Sequence, residues 1–189
     1  MLTTEKERKT AADYAKLPET MERVELIDGE LIMAPAPTFE HQDILTFLLT
    51  GLNAVVRPRK LGKVVPAPTD VHATKHDVYQ PDILFIRREN LGIVREGAVY
   101  GAPDFVIEIL SPSTGYYDLK HKKDVYQQIG VKEYWIVDPM DKTVECFLNS
   151  PNERSSRGFE TFYLGKQTGR ATSSVLPEFS VELQELFSL

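Results

Sequence analysis

The residue that stands out is Glu108. It sits in the run Phe105-Val-Ile-Glu-Ile-Leu110, which is otherwise suited to complete burial. An ionised carboxylate inside a sheet costs several kcal/mol unless a partner or a metal compensates it. Glu108 must therefore be paired, protonated, ligating a metal, or placed at a strand end facing a cleft. A structural ion pair is the plain alternative to chemistry. Asp82 bears on that choice. It opens the run Asp82-Ile-Leu-Phe-Ile86, and Pro81 before it favours an extended entry. Alone it reads as a strand-start residue, and Pro103-Asp104 repeats the dipeptide. With Glu108 it makes a carboxylate pair on two adjacent core strands, the oxygen-donor type that magnesium and manganese select.

Lys122 is the third candidate. Asp118, Lys122 and Tyr126 are four residues apart and share one face of the helix expected after the Glu108 strand. The plain reading is an exposed lysine that adds little to folding. Lys120-His-Lys-Lys123 is the densest basic run, either a solvated helix face or a receiver of phosphates.

The elements that must position these residues follow from local signals. Thr10–Lys16 reads as a short helix stopped at Leu17-Pro18. Asp28-Gly29 between two apolar runs reads as a hairpin turn. Apolar residues recur at helical spacing from Thr38 to about Val56, with Arg57-Pro58 as the stop. Val64 to Ala73 reads as an irregular edge strand because two prolines interrupt it. The Glu108 strand belongs in the sheet centre. Asn90–Ala102 reads as a polar connection, and Ser111–Gly115 breaks the central strand. A helix spans Tyr116–Ile129 and stops at Gly130. Strands follow at 133–137, 143–148 and 159–164, with a polar loop over 149–158. A last strand near Ser174–Leu176 and a helix over Val181–Phe187 close the chain. The order predicts an α/β domain with a mixed sheet and an antiparallel meander near its end.

Composition narrows the classes. The chain has 189 residues, 42% apolar and 26% charged, as in ordinary globular proteins. One domain over residues 1–189 is expected. Twenty-two lysines and arginines against 28 aspartates and glutamates leave a net charge of −6, so an overall basic footprint is absent. The single cysteine, Cys146, cannot build an internal disulfide or a cysteine-rich zinc site. No signal peptide is read at the N-terminus, and the apolar-leaning run Ile44–Val56 is too short for a membrane span. A cytoplasmic location with no membrane association is expected.

The segments PDILFI, PDFVIEILSPST, DLKHKKDVY and GVKEYWIVDP resemble the Uma-two family, a branch of the PD-(D/E)xK nuclease superfamily. ELIDGEL and PAPTFEHQ resemble its opening, and LPEFSVELQELF its close. The resemblance implies a restriction-endonuclease-like core, with a central mixed β-sheet flanked by helices. It implies a metal-dependent endonuclease that hydrolyses phosphodiester bonds of nucleic acid, DNA above all. Asp82 matches the first metal-binding aspartate and Glu108 the acid of the second motif, together holding Mg²⁺ or Mn²⁺. The superfamily lysine is often two residues after that acid, where this chain has Leu110, and Lys122 matches the helical position that replaces it. Glu25 matches a glutamate of the opening hairpin, either an extra acid near the metal or half of a surface pair. His41 also matches a family position and reads as a helix-start or packing residue, while Tyr134 and Trp135 read as core or dimer-contact residues. A homodimer is expected, since two cuts on a duplex suit a two-fold pair. The competing reading is a catalytically inactive interaction or assembly module on a nuclease scaffold.

Overall fold

The computed structural model describes residues 8–18, 23–111, 116–150 and 158–188, with backbone alone for 116–119 and 150. Residues 112–115 of the break expected over Ser111–Gly115, the side chain of Asp118 and most of the loop expected over 149–158 lie outside the described residues.

The elements run α1 (Ala11–Tyr14), β1 (Val24–Ile27), β2 (Glu30–Met33), α2 (Phe39–Arg59), β3 (Gly62–Pro66), β4 (Val71–His72), β5 (Val78–Tyr79) and β6 (Ile83–Arg87). A 3₁₀ turn over Arg88–Ile93 leads to β7 (Val94–Arg95), β8 (Ala98–Tyr100), β9 (Phe105–Ile109) and α3 (Tyr116–Ile129). Then come β10 (Glu133–Asp138), β11 (Thr143–Ser150), β12 (Gly158–Lys166), β13 (Arg170–Thr172), β14 (Ser180–Glu182) and α4 (Leu183–Leu186).

The main sheet has the order β12-β11-β10-β9-β6-β3. Its centre is a parallel pair, β9 and β10, joined by α3, while the other pairings are antiparallel. The expected meander is β10-β11-β12, and β3 takes the expected edge. Side-chain alternation divides the two faces of β9. Phe105, Ile107 and Ile109 pack with Ile44, Leu48, Leu52 and Val56 of α2. Val106 faces the other way, with Tyr126 of α3 and Tyr134 of β10. Glu108 shares that second face.

The Asp28-Gly29 turn has the two positive φ angles, 48° and 80°, that a tight hairpin of this hand requires. Thr38 caps α2 by accepting from the His41 amide at 3.2 Å. The expected stop at Arg57-Pro58 is incorrect, because α2 contains Pro58 and ends at Arg59, with Lys60 as its cap. In the last turn a proline forfeits only one backbone bond. The Lys60 and Leu61 amides then bond back to Arg57 and Val56, and Lys60 takes a left-handed φ of 54°.

Two further expectations need correction. Residues 90–102 hold β7 and β8, which complete a second sheet of order β2-β1-β5-β4-β8-β7. Strands of two or three residues are too short to carry a readable alternation. Residues 174–176 are not a strand. The Val175 amide donates to Glu133 Oε2 at 2.7 Å and the Leu176 amide to Ser173 Oγ at 2.9 Å. Side-chain acceptors thus satisfy this backbone in place of a ladder. The strands there are β13 and β14, paired with each other.

Candidate active site

Ile83 on β6 pairs with Ile107 on β9, so the antiparallel register carried one residue further sets Asp82 opposite Glu108. Glu108 belongs to the α3 side of the sheet, while Asp82 stands at the strand end, where His41 of α2 also reaches it. Glu25 arrives from the second sheet, where Leu26 of β1 pairs with Val78 of β5. Its carboxylate accepts from the Gln80 amide at 2.7 Å, just before the Asp82 strand begins. Lys122 descends from α3 one turn before Tyr126. Glu25, Glu108 and Lys122 therefore meet, with Asp82 opposite Glu108 on the neighbouring strand, and all are buried: Glu25 6% exposed, Asp82 2%, Glu108 5% and Lys122 4%.

Lys122 is the hub. Its Nζ lies 2.9 Å from both Glu25 oxygens and 3.3 Å from Glu108 Oε1. The Tyr126 hydroxyl donates to the same Glu108 oxygen at 3.0 Å. Reading Lys122 as an exposed helical lysine is thus incorrect. The i,i+4 spacing that places it with Tyr126 turns it inward, because Tyr126 is fully buried. The neighbouring basic residues diverge. Lys120 is exposed, His121 Nε2 lies 2.9 Å from Asp77 Oδ1, and the Lys123 ammonium sits 3.3 Å over the Phe147 ring. The run Lys120–Lys123 does not make one phosphate-receiving face.

Asp82 is held separately. Arg23 Nη1 lies 2.8 Å from its Oδ1, His41 Nε2 3.3 Å from its Oδ2, and the Ile109 amide donates to Oδ2 at 2.8 Å. Arg23 and His41 were not read from the sequence as members of this cluster. His41 is the first of the buried set 41, 44, 48, 52 and 56, the α2 stripe that faces the sheet, and that spacing is the signal that identifies it. Arg23 precedes β1 at the alternation position of Glu25.

The electrostatics follow from burial. Desolvation pushes Glu108 up to about 7, with the charges of Asp82 and Glu25 adding to it against Lys122. Burial also acts on Asp82. There the His41 hydrogen bond and the Arg23 charge outweigh it and hold the carboxyl below its usual range. For Lys122, burial is outweighed by the Glu108 and Glu25 carboxylates, so the ammonium is held above its usual value.

Among the described residues no group of three or more His, Cys, Asp or Glu side chains is placed to hold a metal ion. A Mg²⁺-type ion does not need such a group, since it is commonly held by one or two carboxylates plus waters and substrate phosphates. The donor set fits such an ion. It offers two hard oxygen ligands, Asp82 and Glu108, in a cluster of three carboxylates against the two fixed cations Lys122 and Arg23. Buried polar atoms around it are also unsatisfied: His41 Nδ1, Arg23 Nε and the Tyr134 hydroxyl have no hydrogen-bond partner among the described residues. Tyr134 and Trp135 are both fully buried, which makes them core residues.

Comparison with known proteins bears on this arrangement. No curated protein matches the chain. A crystal structure from Anabaena variabilis, described as a "putative nuclease belonging to DUF820", is similar with a TM-score of 0.77 and 24% identity, over 95% of this chain and 97% of that one. The likeness establishes the fold as a restriction-endonuclease-like α/β core. The model of the Uma2 family, described as "Putative restriction endonuclease", matches residues 11–184. With that match spanning nearly the whole chain, the protein belongs to the Uma2 nuclease family.

Proposed function

We propose that the protein is a metal-dependent endonuclease that hydrolyses phosphodiester bonds of nucleic acid, with DNA as the favoured substrate and a homodimer as the working unit. The observation that carries this reading is the buried meeting of Glu25, Glu108 and Lys122, with Asp82 opposite Glu108 on the neighbouring strand. Strongly perturbed, clustered ionisable groups of this kind mark functional sites.

Asp82 and Glu108 would hold Mg²⁺ or Mn²⁺. Such an ion lowers the pKa of a water and offsets the charge growing on the phosphate. The chain's own residues supply the rest. Arg23, His41 and the Ile109 amide orient the Asp82 carboxylate. Tyr126 orients Glu108. Lys122 brings a permanent positive charge to the position where phosphate oxygens gain negative charge, and Glu25 aims it from the far side.

One observation favours the alternative of an inactive scaffold. Each carboxylate already has a protein cation beside it, as in a structural ion-pair network. Cleavage of duplex DNA, single-stranded DNA and RNA with Mn²⁺, with and without a chelator, separates the readings. Metal-dependent cleavage that is lost in Asp82→Asn supports the enzyme. Intact substrates together with no Mn²⁺ binding by calorimetry would reject it. Light scattering that reports only a monomer would reject the dimer.

A further inference from the structure

At the far end of β6 from Asp82 lies a groove of about 470 Å³, bounded by the C-terminal turn of α2, the start of β3 and the 3₁₀ turn after β6. Four cations from these elements line it: Arg57, Lys60, Lys63 and Arg88, with Asn53 beside them. No acidic residue lines it. All four cations are exposed, and none is ion-paired among the described residues. Arg57 Nε instead donates to Asn53 Oδ1 at 2.7 Å. The nearest acid in sequence, Glu89, is 3.9 Å from Arg87 and so has another cation beside it.

This concentration needs a reason in a chain of net charge −6. The C-terminal dipole of α2 accounts for Arg57 and Lys60, since cations are stabilised at a helix C-terminus. It does not account for Lys63 on β3 or Arg88 beyond β6. Those two come from other elements and are brought to the same concavity only by the β3–β6 pairing, in which Gly62 stands opposite Arg87 and Lys63 opposite Ile86. Four unpaired like charges around one hollow repel one another unless an anion joins them.

We infer that this groove is a phosphate-binding site for the backbone of a polynucleotide, flanking the point of cleavage. The inference rests on the nuclease reading above. Arg88 and Asp82 stand on either side of β6, six residues apart. At a rise of about 3.3 Å per residue that is about 20 Å, or about six base pairs of duplex. That separation is within the length of a short duplex, so one duplex that engages the carboxylate cluster is long enough to reach the groove as well. Charge contacts of this type orient a nucleic acid without reading its sequence. The groove thereby offers an anchoring surface on a protein whose overall charge opposes nucleic-acid binding.

The test is binding of a fluorescently labelled 24-base-pair duplex, followed by anisotropy in chelating buffer at several salt concentrations. Proteins compared are the parent, the double variant Lys63→Gln/Arg88→Gln, and Lys75→Gln as an exposed-lysine control. Loss of two phosphate contacts should lower the salt slope by about 1.8 and weaken binding up to about 60-fold at 0.1 M salt, taking the electrostatic contribution as zero at 1 M. The control should match the parent. If the double variant keeps the parent's affinity and slope, the groove inference is overturned while the nuclease reading stands, judged by Mn²⁺-dependent cleavage. If the parent binds no duplex and cleaves none, both fall. An equal loss in the Lys75 control would reduce the effect to general surface charge and overturn the groove assignment.

Discussion

Replacing Glu108 by glutamine in the metal-free protein tests the physical account of the site most sharply. The substitution keeps the side-chain shape and leaves an oxygen that still accepts from Lys122 and Tyr126, now at 3.3 and 3.0 Å from Glu108 Oε1. Lys122 retains Glu25, so no cation is stranded. What is lost is a buried charge. Burial raises this carboxyl from 4.5 to about 7, so the folded state binds its proton more tightly than the unfolded chain does. The sign follows: the contribution to stability is fully present below pH 4.5 and is lost as pH rises through about 7. At 1.36 kcal/mol per pH unit, the ionised form costs the apo protein about 3 kcal/mol at pH 8. Glu108→Gln should therefore be more stable than the parent at pH 8, by up to about 3 kcal/mol, with the advantage gone near pH 4.5. At about 2–4 °C per kcal/mol, that is a rise of about 6–12 °C in melting temperature. Mn²⁺ at 100 times its dissociation constant should add about 2.7 kcal/mol to the parent and little to the variant. Thermal melts of both proteins at pH 5 and pH 8, with and without Mn²⁺, read all of this. A variant about 3–5 kcal/mol less stable than the parent at pH 8 would show that Glu108 is a compensated ion-pair partner, and would refute the argument.

Lys122→Met removes the cation between Glu25 and Glu108, and should destabilise the fold by about 3–5 kcal/mol in urea denaturation. An unchanged midpoint would mean that the two carboxylates do not depend on it, and adding Glu25→Gln and Glu108→Gln should restore most of the loss. His41→Ala leaves Asp82 to Arg23 and the Ile109 amide; Mn²⁺ affinity by calorimetry should weaken about 10–100-fold, the usual cost of losing a group that orients a metal ligand, and an unaltered affinity would remove His41 from the site. Asp104, away from the cluster, is buried. Although burial opposes it, hydrogen bonds from Lys132, the Arg87 amide and Asn90 hold its carboxyl below the usual range. Its contribution is present above about pH 4, the unfolded value, and is lost as pH falls through its lower folded value. Asp104→Asn should thus be less stable at pH 6 and flatten the acid limb of the stability curve, and a variant with the parent's acid limb would contradict this.

The local features of this protein were legible in its residues. A glutamate in an otherwise apolar run announces a carboxyl that needs a partner, a proton or a metal. Asp28-Gly29 encodes its own turn, because only residues tolerant of positive φ fit there. The helices over Tyr116–Ile129 and after Thr38 follow from periodicity and from their cap and stop residues. Each of these depends on interactions within a few residues or on one repeating pattern.

What tertiary structure decided is which of those residues share a volume. Lys122 stands in a run of four basic residues, and nothing local says that one of them turns into the core; the docking of α3 through Tyr126 does. Arg23 reaches Asp82 across 59 positions of chain, and Lys122 reaches Glu25 across 97. Beyond the β1–β2 hairpin, the second sheet that delivers Glu25 is built from strands of two or three residues, too short for a pattern to emerge. The groove cations likewise converge only because β3 pairs with β6. Hydrophobic burial orients each element by its apolar side, and the polar residues on that side are carried inward with it. Their partners are whichever groups another element brings to the same depth, and that is a property of packing rather than of spacing along the chain.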